Sequence, residues 1–139
     1  MKLHLYFVGK PRDAHANAMA EEYVKRIRRY ARLEMTEIKP ERSGWWLKHA
    51  SAWKVLLDPA GKSMDSTGFA GMVSKAEIEA RDLVFVVGGA DGLPAEWRGH
   101  ADVLLSLSKM TFPHELARVV LAEQIYRAFA ILRGHPYPR

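Results

Sequence analysis

A glycine-rich segment follows the most apolar stretch of the chain. Gly88-Gly89-Ala90-Asp91-Gly92 comes directly after the uncharged run 83–87. Glycines permit turns that other residues resist, and their missing side chains let a ligand approach the backbone. The spacing is not the G-x-G-x-x-G of dinucleotide-binding turns, because Ala90 stands in place of the second glycine. The segment therefore predicts either a tight turn or a ligand site at the carboxyl end of a strand.

A second segment combines hydroxyl groups with the start of a predicted helix. It is Leu107-Ser108-Lys109-Met110-Thr111-Phe112-Pro113-His114 and it follows a short apolar run. The N–H groups and the positive dipole end of a helix favour a polar or anionic ligand. The alternative is an ordinary loop in which Thr111 caps the helix.

Several other kinds of site are excluded or unsupported. The chain has no cysteine, which rules out disulfides, thiolate catalysis and cysteine-ligated zinc. Its six histidines form no i,i+4 pair and no H-x-H, so we expect no metal site. Gly61-Lys62-Ser63 lacks the upstream glycine of a P-loop, since Leu56 stands there. No serine lies in G-x-S-x-G, so nothing supports a hydrolase triad.

Positive charge points to a polyanionic partner. The net charge is +5 and the pI is about 9.6. Basic residues crowd the first predicted helix and recur in the last quarter of the chain: Lys25, Arg26, Arg28, Arg29 and Arg32, then Arg118, Arg127, Arg133 and Arg139. Because arginine binds phosphate through two nitrogens at once, these side chains are candidates for RNA contacts. The alternative is a solvated helix face.

The elements that must position these segments alternate between strands and helices. This alternation predicts an α/β fold with a mostly parallel sheet and helices on both faces. Strands are predicted over 3–8, 34–38, 54–57, 83–87 and 101–106, with a turn at 58–61. Helices are predicted over 14–32 with Asp13 as N-cap, 45–49, 66–80 and 113–132. The run 83–87 is expected at the centre of the sheet, buried on both faces.

The length and hydropathy of the chain fit one domain over residues 1–139. No apolar run approaches the roughly 18 residues of a membrane span. The apolar start of the chain is short and lacks a small-residue cleavage site, so we expect no secretory signal and a cytoplasmic protein.

The last predicted helix carries two apolar stripes. One contains Leu121, Ile125, Phe129 and Leu132, and the other contains Val119, Ala122, Tyr126 and Ala130. A lone surface helix needs only one such stripe. The second stripe requires another partner, which is either more of the same chain or a second subunit.

Four motifs together identify a resemblance. They are the segments 86–93 and 107–114, then Val119-Val120-Leu121-Ala122-Glu123-Gln124-Ile125-Tyr126-Arg127-Ala128, and finally Gly134-His135-Pro136-Tyr137. The opening Met1-Lys2-Leu3 with Val8-Gly9-Lys10 also matches. The chain closely resembles the RlmH family over nearly its whole length. These are the bacterial large-subunit ribosomal RNA pseudouridine N3-methyltransferases of the SPOUT superfamily. The chain departs from the family's usual pattern in two places. Its segment over 39–52 is shorter, and Pro138 stands in place of the family's terminal histidine.

The resemblance implies a single SPOUT domain with a C-terminal trefoil knot, a homodimer, and S-adenosylmethionine as cofactor. It implies that the chain methylates N3 of a pseudouridine in 23S ribosomal RNA on the assembled ribosome. The matching positions imply a cofactor site at Leu57, Gly88, Leu107, Ser108, Lys109, Met110, Thr111 and Phe112. Apart from the resemblance, the histidine spacing predicts no metal and the hydropathy predicts no membrane partner.

The residues that carry out proton transfer stay open at this point. Glu123, His114 and His135 can accept a proton, and Tyr137 can orient the acceptor. Arg118 and Arg133 can hold phosphates or stabilise negative charge on the base. For Glu123, an i,i+4 pair with Arg127 is an equally good explanation. The alternative function is a non-catalytic basic RNA-binding module of ribosome assembly.

Overall fold

The computed structural model describes residues 1–41 and 44–137. Arg42, Ser43, Pro138 and Arg139 lie outside the described residues, and so do the predicted roles of Pro138 and Arg139. The strands of the described part are β1 (Lys2–Val8), β2 (Arg32–Ile38), β3 (Trp53–Ser63), β4 (Leu83–Val87) and β5 (Val103–Ser106). The helices are α1 (Ala14–Ile27), α2 (Ser66–Ile78) and α3 (His114–Leu132), with two short 3₁₀ helices at Trp45–His49 and Ala95–His100. None of these helices is long and apolar enough to cross a membrane.

The strands form one parallel sheet in the order β2-β1-β4-β3-β5. All five residues of β4 are buried, as predicted for a central strand covered on both faces. Because side chains alternate along a strand, Phe85 packs into one layer and Val84 and Val86 pack into the other.

Helices cover both faces of the sheet, which confirms the predicted fold class. α1, α2 and α3 pack on one face, and α3 contacts both of the other helices. The other face is covered by the two 3₁₀ helices, whose Trp45 and Trp97 pack against Val84 and Val86.

Both apolar stripes of α3 are buried within the chain. Leu121, Ile125 and Phe129 are fully buried in the main core. In the other stripe, Val119 packs against α1, and Tyr126 joins the same main core. The chain itself therefore supplies the partner of the second stripe. Of the two predicted alternatives, the structure therefore supports more of the same chain, and the stripe gives no separate evidence for a second subunit.

Several boundaries differ from the sequence-based prediction, and the differences at β3, α1 and α3 are the ones that bear on the site. β3 continues to Ser63, and residues 58–61 form a bulge because Leu57 and Lys62 both pair with Leu105. α1 ends at Ile27 because the chain turns there to enter β2. α3 begins after Pro113 with no side-chain cap, so the prediction of Thr111 as its cap is wrong. The prediction of Asp13 as the N-cap of α1 is confirmed, since its carboxylate accepts from two backbone N–H groups.

Candidate active site

A cavity of about 260 Å³ lies at the carboxyl ends of β3, β4 and β5. Parallel strands bring their carboxyl ends to one edge of the sheet, which is where open α/β sheets bind ligands. The structure places seven of the predicted cofactor residues around this cavity: Leu57, Gly88, Leu107, Ser108, Met110, Thr111 and Phe112. Lys109 is exposed and does not line the cavity.

The glycine turn after β4 is held by its own backbone. The Gly92 N–H donates to the Gly89 carbonyl at 3.0 Å, and Gly92 has a φ of 77°. A Cβ on Gly88 would lie 2.7 Å from the carbonyl carbon of Gly92. Residue 88 must therefore be glycine for the turn to close, whether or not a ligand is present.

The segment between β5 and α3 is also internally bonded. The Ser106 hydroxyl donates to the Ser108 carbonyl at 3.0 Å, and the Ser108 hydroxyl accepts from the Met110 N–H at 2.9 Å. These bonds fix the backbone that borders the cavity. The Met110 side chain is 78% exposed at the rim, so it is available to cover a ligand.

The cavity has a charged wall that sequence analysis missed. Asp58 is 7% exposed, and its Oδ2 accepts from the Nε of Arg98 at 2.8 Å. The other carboxylate oxygen accepts from the Ala60 N–H at 2.9 Å, which holds the bulge of β3 in shape. The position of Asp58 at the end of a predicted strand was the available signal. Its pairing with Arg98 depends on tertiary structure and had no local pattern.

Two of the predicted catalytic residues lie together but outside this cavity. Tyr137 donates to Glu123 Oε2 at 2.8 Å, and Arg127 contacts the same oxygen at 2.8 Å. Burial raises the pKa of Tyr137 above its ordinary value, as do its hydrogen bonds with Tyr23 and Glu123. Neither Glu123 nor Tyr137 lines the cavity.

The predicted arginines are engaged elsewhere. Arg118 is 1% exposed, and its guanidinium carbon lies 4.2 Å from the centre of the Phe7 ring. It donates to the Asn17 side-chain oxygen at 3.2 Å, and burial lowers its pKa. A phosphate from solvent cannot reach it, so the predicted direct role of Arg118 does not fit the structure. Arg133 forms an ion pair with Glu77 on α2.

Among the predicted proton acceptors, only His114 lines the cavity. His135 is exposed, and its backbone N–H donates to the Ala130 carbonyl beyond the end of α3. His114 is the first residue of α3, and the start of that helix forms part of the cavity wall. The geometry therefore favours His114 over Glu123 and His135 as the acceptor.

The predicted RNA-binding residues of the first helix are partly used within the chain. Arg26 pairs with Glu22 at 2.8 Å, and Arg28 donates to the Leu33 carbonyl at 3.1 Å. Arg29 and Arg32 are exposed, and their contact with RNA stays a prediction. Within residues 1–41 and 44–137, no group of three or more acidic or histidine side chains is placed to hold a metal ion.

Comparison with known proteins shows the family and the fold that this chain shares. Residues 1–138 match the family described as predicted SPOUT methyltransferase. The chain is 63% identical to the ribosomal RNA large subunit methyltransferase H of Solibacter usitatus, and the alignment covers 100% of both chains. A probable methylase family protein from Haemophilus influenzae shares the fold, with a TM-score of 0.65 at 9% identity over 99% of this chain and 70% of that one.

A second structural neighbour contains a ligand. The methyltransferase Lpg2936 of Legionella pneumophila, solved with bound S-adenosylmethionine, has a TM-score of 0.55 at 14% identity, covering 92% of this chain and 66% of that one. The family match extends over nearly the whole chain, and the Solibacter relative aligns without a change in length. The chain therefore belongs to the SPOUT methyltransferase family.

Proposed function

We propose that this protein transfers a methyl group from S-adenosylmethionine to N3 of a pseudouridine in 23S ribosomal RNA on the assembled ribosome. Membership of the family makes the chain a methyltransferase that uses S-adenosylmethionine. The name of its relatives supplies large-subunit ribosomal RNA as the substrate class, and the resemblance supplies pseudouridine N3. The observation that carries the proposal is the cavity at the carboxyl ends of β3, β4 and β5.

The lining of the cavity suits the parts of S-adenosylmethionine. Leu57, Leu105 and Leu107 form an apolar wall that fits an adenine ring. Asp58 and Arg98 place opposite charges at the β3 bulge, and these charges match the ammonium and carboxylate of the methionine part. We assign these residues to cofactor binding.

The chain contributes orientation and proton removal to the reaction. Bound S-adenosylmethionine supplies a methyl group on a positively charged sulfur, which a ring nitrogen attacks in line. The acceptor nitrogen must lose its proton, and His114 at the cavity wall takes it. With the methyl group transferred from sulfur to N3, the cofactor would be left as the neutral thioether S-adenosylhomocysteine, and His114 would hold the proton as a positively charged imidazolium. Holding the two reactants in line provides much of the rate enhancement.

The assembly and topology of the protein are part of this proposal. We propose a homodimer, a C-terminal trefoil knot that involves α3, a single domain over residues 1–139 and a cytoplasmic location. The family assignment supports the knot and the dimer. Met19 on α1 and Leu116 on α3 are 50% and 41% exposed, and an apolar surface of this kind fits a second copy.

Calorimetric titration with S-adenosylmethionine tests the cofactor assignment. We expect saturable heat in the wild-type protein and at least a tenfold weaker affinity in Asp58→Asn, with Asp65→Asn on α2 as the control. Asp65 caps a helix and lies away from the cavity. Methyl transfer to ribosomes that lack the modification then tests the reaction. Equal transfer to uridine and pseudouridine would contradict the substrate while leaving the reaction class intact.

A further inference from the structure

A second cavity adjoins the cofactor cavity, and the function proposed above leaves it without a role. Its volume is about 580 Å³. It lies against the glycine turn after β4, the loop after β1 and the start of α3. The two cavities share Gly89, Ala90, Gly92, Leu93 and His114. A ligand in the second cavity would therefore lie directly beside a ligand in the first.

The second cavity presents positive charge. Lys10 and Arg12 line it from the loop after β1, and both are exposed. Within the described part of the chain, neither side chain has a hydrogen-bonding or ion-pairing partner. Asp91 is the single acid among the lining residues. Unpaired cations around a concave surface favour a phosphate-bearing ligand.

The loop that carries these cations is fixed in place. Oε1 of Glu115 accepts from the backbone N–H of Arg12 at 2.8 Å and from that of Asp13 at 3.1 Å. Glu115 stands next to His114 in the first turn of α3. The backbone of the β1–α1 loop at Arg12 is thereby joined to the start of α3, the helix that also carries His114. A site held in this way loses little entropy when a ligand binds.

We propose that the second cavity receives the target nucleotide of the RNA, with its phosphate on Lys10 and Arg12 and its base against the glycine turn, facing His114. This inference rests on the proposed function and deepens it. A base inside a folded RNA must leave its stack before chemistry can reach it, and it needs a pocket of its own. The volume lies within the range of roughly 300–1,000 Å³ found for ligand pockets. Because the two cavities share a wall, the base would lie beside the methyl donor. His114 on that wall would face the N3 proton of the base.

Binding of a single nucleotide tests the site without any need for turnover. The probe is pseudouridine 5′-monophosphate, added to the ¹⁵N-labelled protein in the presence of S-adenosylhomocysteine. We expect shifts at the N–H groups of Gly9, Ala90 and Gly92. The apparent affinity should fall about tenfold in Arg12→Gln and be unchanged in Lys48→Gln, an exposed residue outside both cavities. Inorganic phosphate alone should shift Gly9 but leave Ala90 unmoved.

Steady-state methylation of ribosomes provides the second readout. Lys10→Gln and Arg12→Gln should each raise the KM for ribosomes about tenfold, with the affinity for S-adenosylmethionine unchanged. Each variant should also release about one counterion fewer when it binds the ribosome, as measured from the slope of affinity against salt concentration. Nucleotide shifts at residues outside the second cavity, or a wild-type KM in the double variant, would overturn the site. Nucleotide binding in a protein that methylates no ribosome would support the site and contradict the proposed function.

Discussion

The Tyr137 hydroxyl donates a hydrogen bond of 2.8 Å to Oε2 of Glu123, which ties the segment after α3 back to the middle of that helix. The guanidinium of Arg127 contacts the same oxygen and lies 4.8 Å from the centre of the Tyr137 ring. Two of the predicted catalytic residues, Glu123 and Tyr137, thus belong to a network that holds the segment after α3. Nine residues of helix, about 13 Å, separate Glu123 from His114 at the cavity.

Tyr137→Phe should release this segment. The variant loses the partly buried hydrogen bond to the charged Glu123 and the longer one to Tyr23, so the free energy of unfolding should fall by roughly 1.5–3 kcal/mol in urea denaturation. The affinity for S-adenosylmethionine should be unchanged.

Removal of residues 135–139 should lower the turnover of ribosome methylation, because the segment can then no longer close over the target base.

Ser66→Ala is the matched control for Tyr137→Phe. It removes a neighbouring hydrogen bond between side chains, from the Ser66 hydroxyl to Gln124 at 2.7 Å. Gln124 also donates to Glu123, so this control disturbs the same network but keeps the Tyr137 hydrogen bond. Turnover should follow the wild type in this control. Full activity in the truncated enzyme would remove His135 and Tyr137 from the catalytic residues.

Gly88→Ala should destabilise the fold before it affects any ligand. The new Cβ would lie 2.7 Å from the backbone of Gly92, so the turn must open, at a cost of roughly 1–3 kcal/mol. Gly71→Ala is the control, because a Cβ at this exposed position of α2 meets nothing within 4 Å. That change should stabilise the protein by roughly 0.5–1 kcal/mol. Loss of cofactor binding in a fully stable Gly88→Ala protein would instead support direct ligand contact at residue 88.

The sequence predicts the parts of the fold that local patterns determine. The uncharged run of β4 predicts a central strand, and the carboxylate of Asp13 predicts a helix start, because each effect acts within a few residues. The cofactor residues come from the resemblance, and three strand ends bring seven of them together. Periodicity alone assigns none of them.

The remaining features depend on contacts between distant residues. The bulge of β3 continues the strand because both Leu57 and Lys62 pair with Leu105, a register that no turn pattern reveals. Arg118 looks like a surface cation in the sequence, but the packing of α3 on β1 places it over Phe7. Glu115 anchors a loop about a hundred residues away, so only the tertiary fold shows its role.

Arg118→Met should preserve both the fold and the activity. The guanidinium has no carboxylate within ion-pair distance in the part of the chain that the structure describes, and burial lowers its pKa. A methionine of similar length restores the packing without a buried charge, so stability should change by less than about 1 kcal/mol. Arg118→Ala leaves a cavity and should cost about 2–5 kcal/mol. A stable Arg118→Met protein without turnover would indicate a direct catalytic role.

Leu116→Glu should dissociate the proposed homodimer. A charge at this exposed position on α3 cannot be buried in an interface without a large desolvation cost. Ile78→Glu is the control, because it places the same charge on an apolar side chain that is 81% exposed and lies on a different helix, α2. Sedimentation at micromolar concentration should show a monomer for the first variant and a dimer for the second. An active wild-type monomer would contradict the proposed assembly.

Acidification should weaken the protein through His4 and His49. The ring of His4 in β1 lies 4.5 Å from the ring of His49 at the end of the first 3₁₀ helix, and His49 Nε2 is 2.8 Å from the Tyr6 hydroxyl. Burial is the main cause that lowers the pKa of both rings, with nearby lysines adding to it. The unfolded chain therefore binds protons more readily than the folded one. The stability linked to these rings is complete above the ordinary histidine pKa of about 6.5 and is lost as the pH falls below it.

Urea unfolding at pH 7.5 and at pH 5.5, values chosen to span the ordinary histidine pKa of about 6.5, measures this effect. The free energy of unfolding of the wild type should be smaller at the lower pH than at the higher pH. This decrease should be smaller in His49→Gln, since glutamine does not take up a proton. Glutamine also keeps an acceptor for the Tyr6 hydroxyl, so the neutral contact survives. His15→Gln, at an exposed position on α1, should follow the wild type. Equal pH dependence in His49→Gln and the wild type would show that other groups cause the loss.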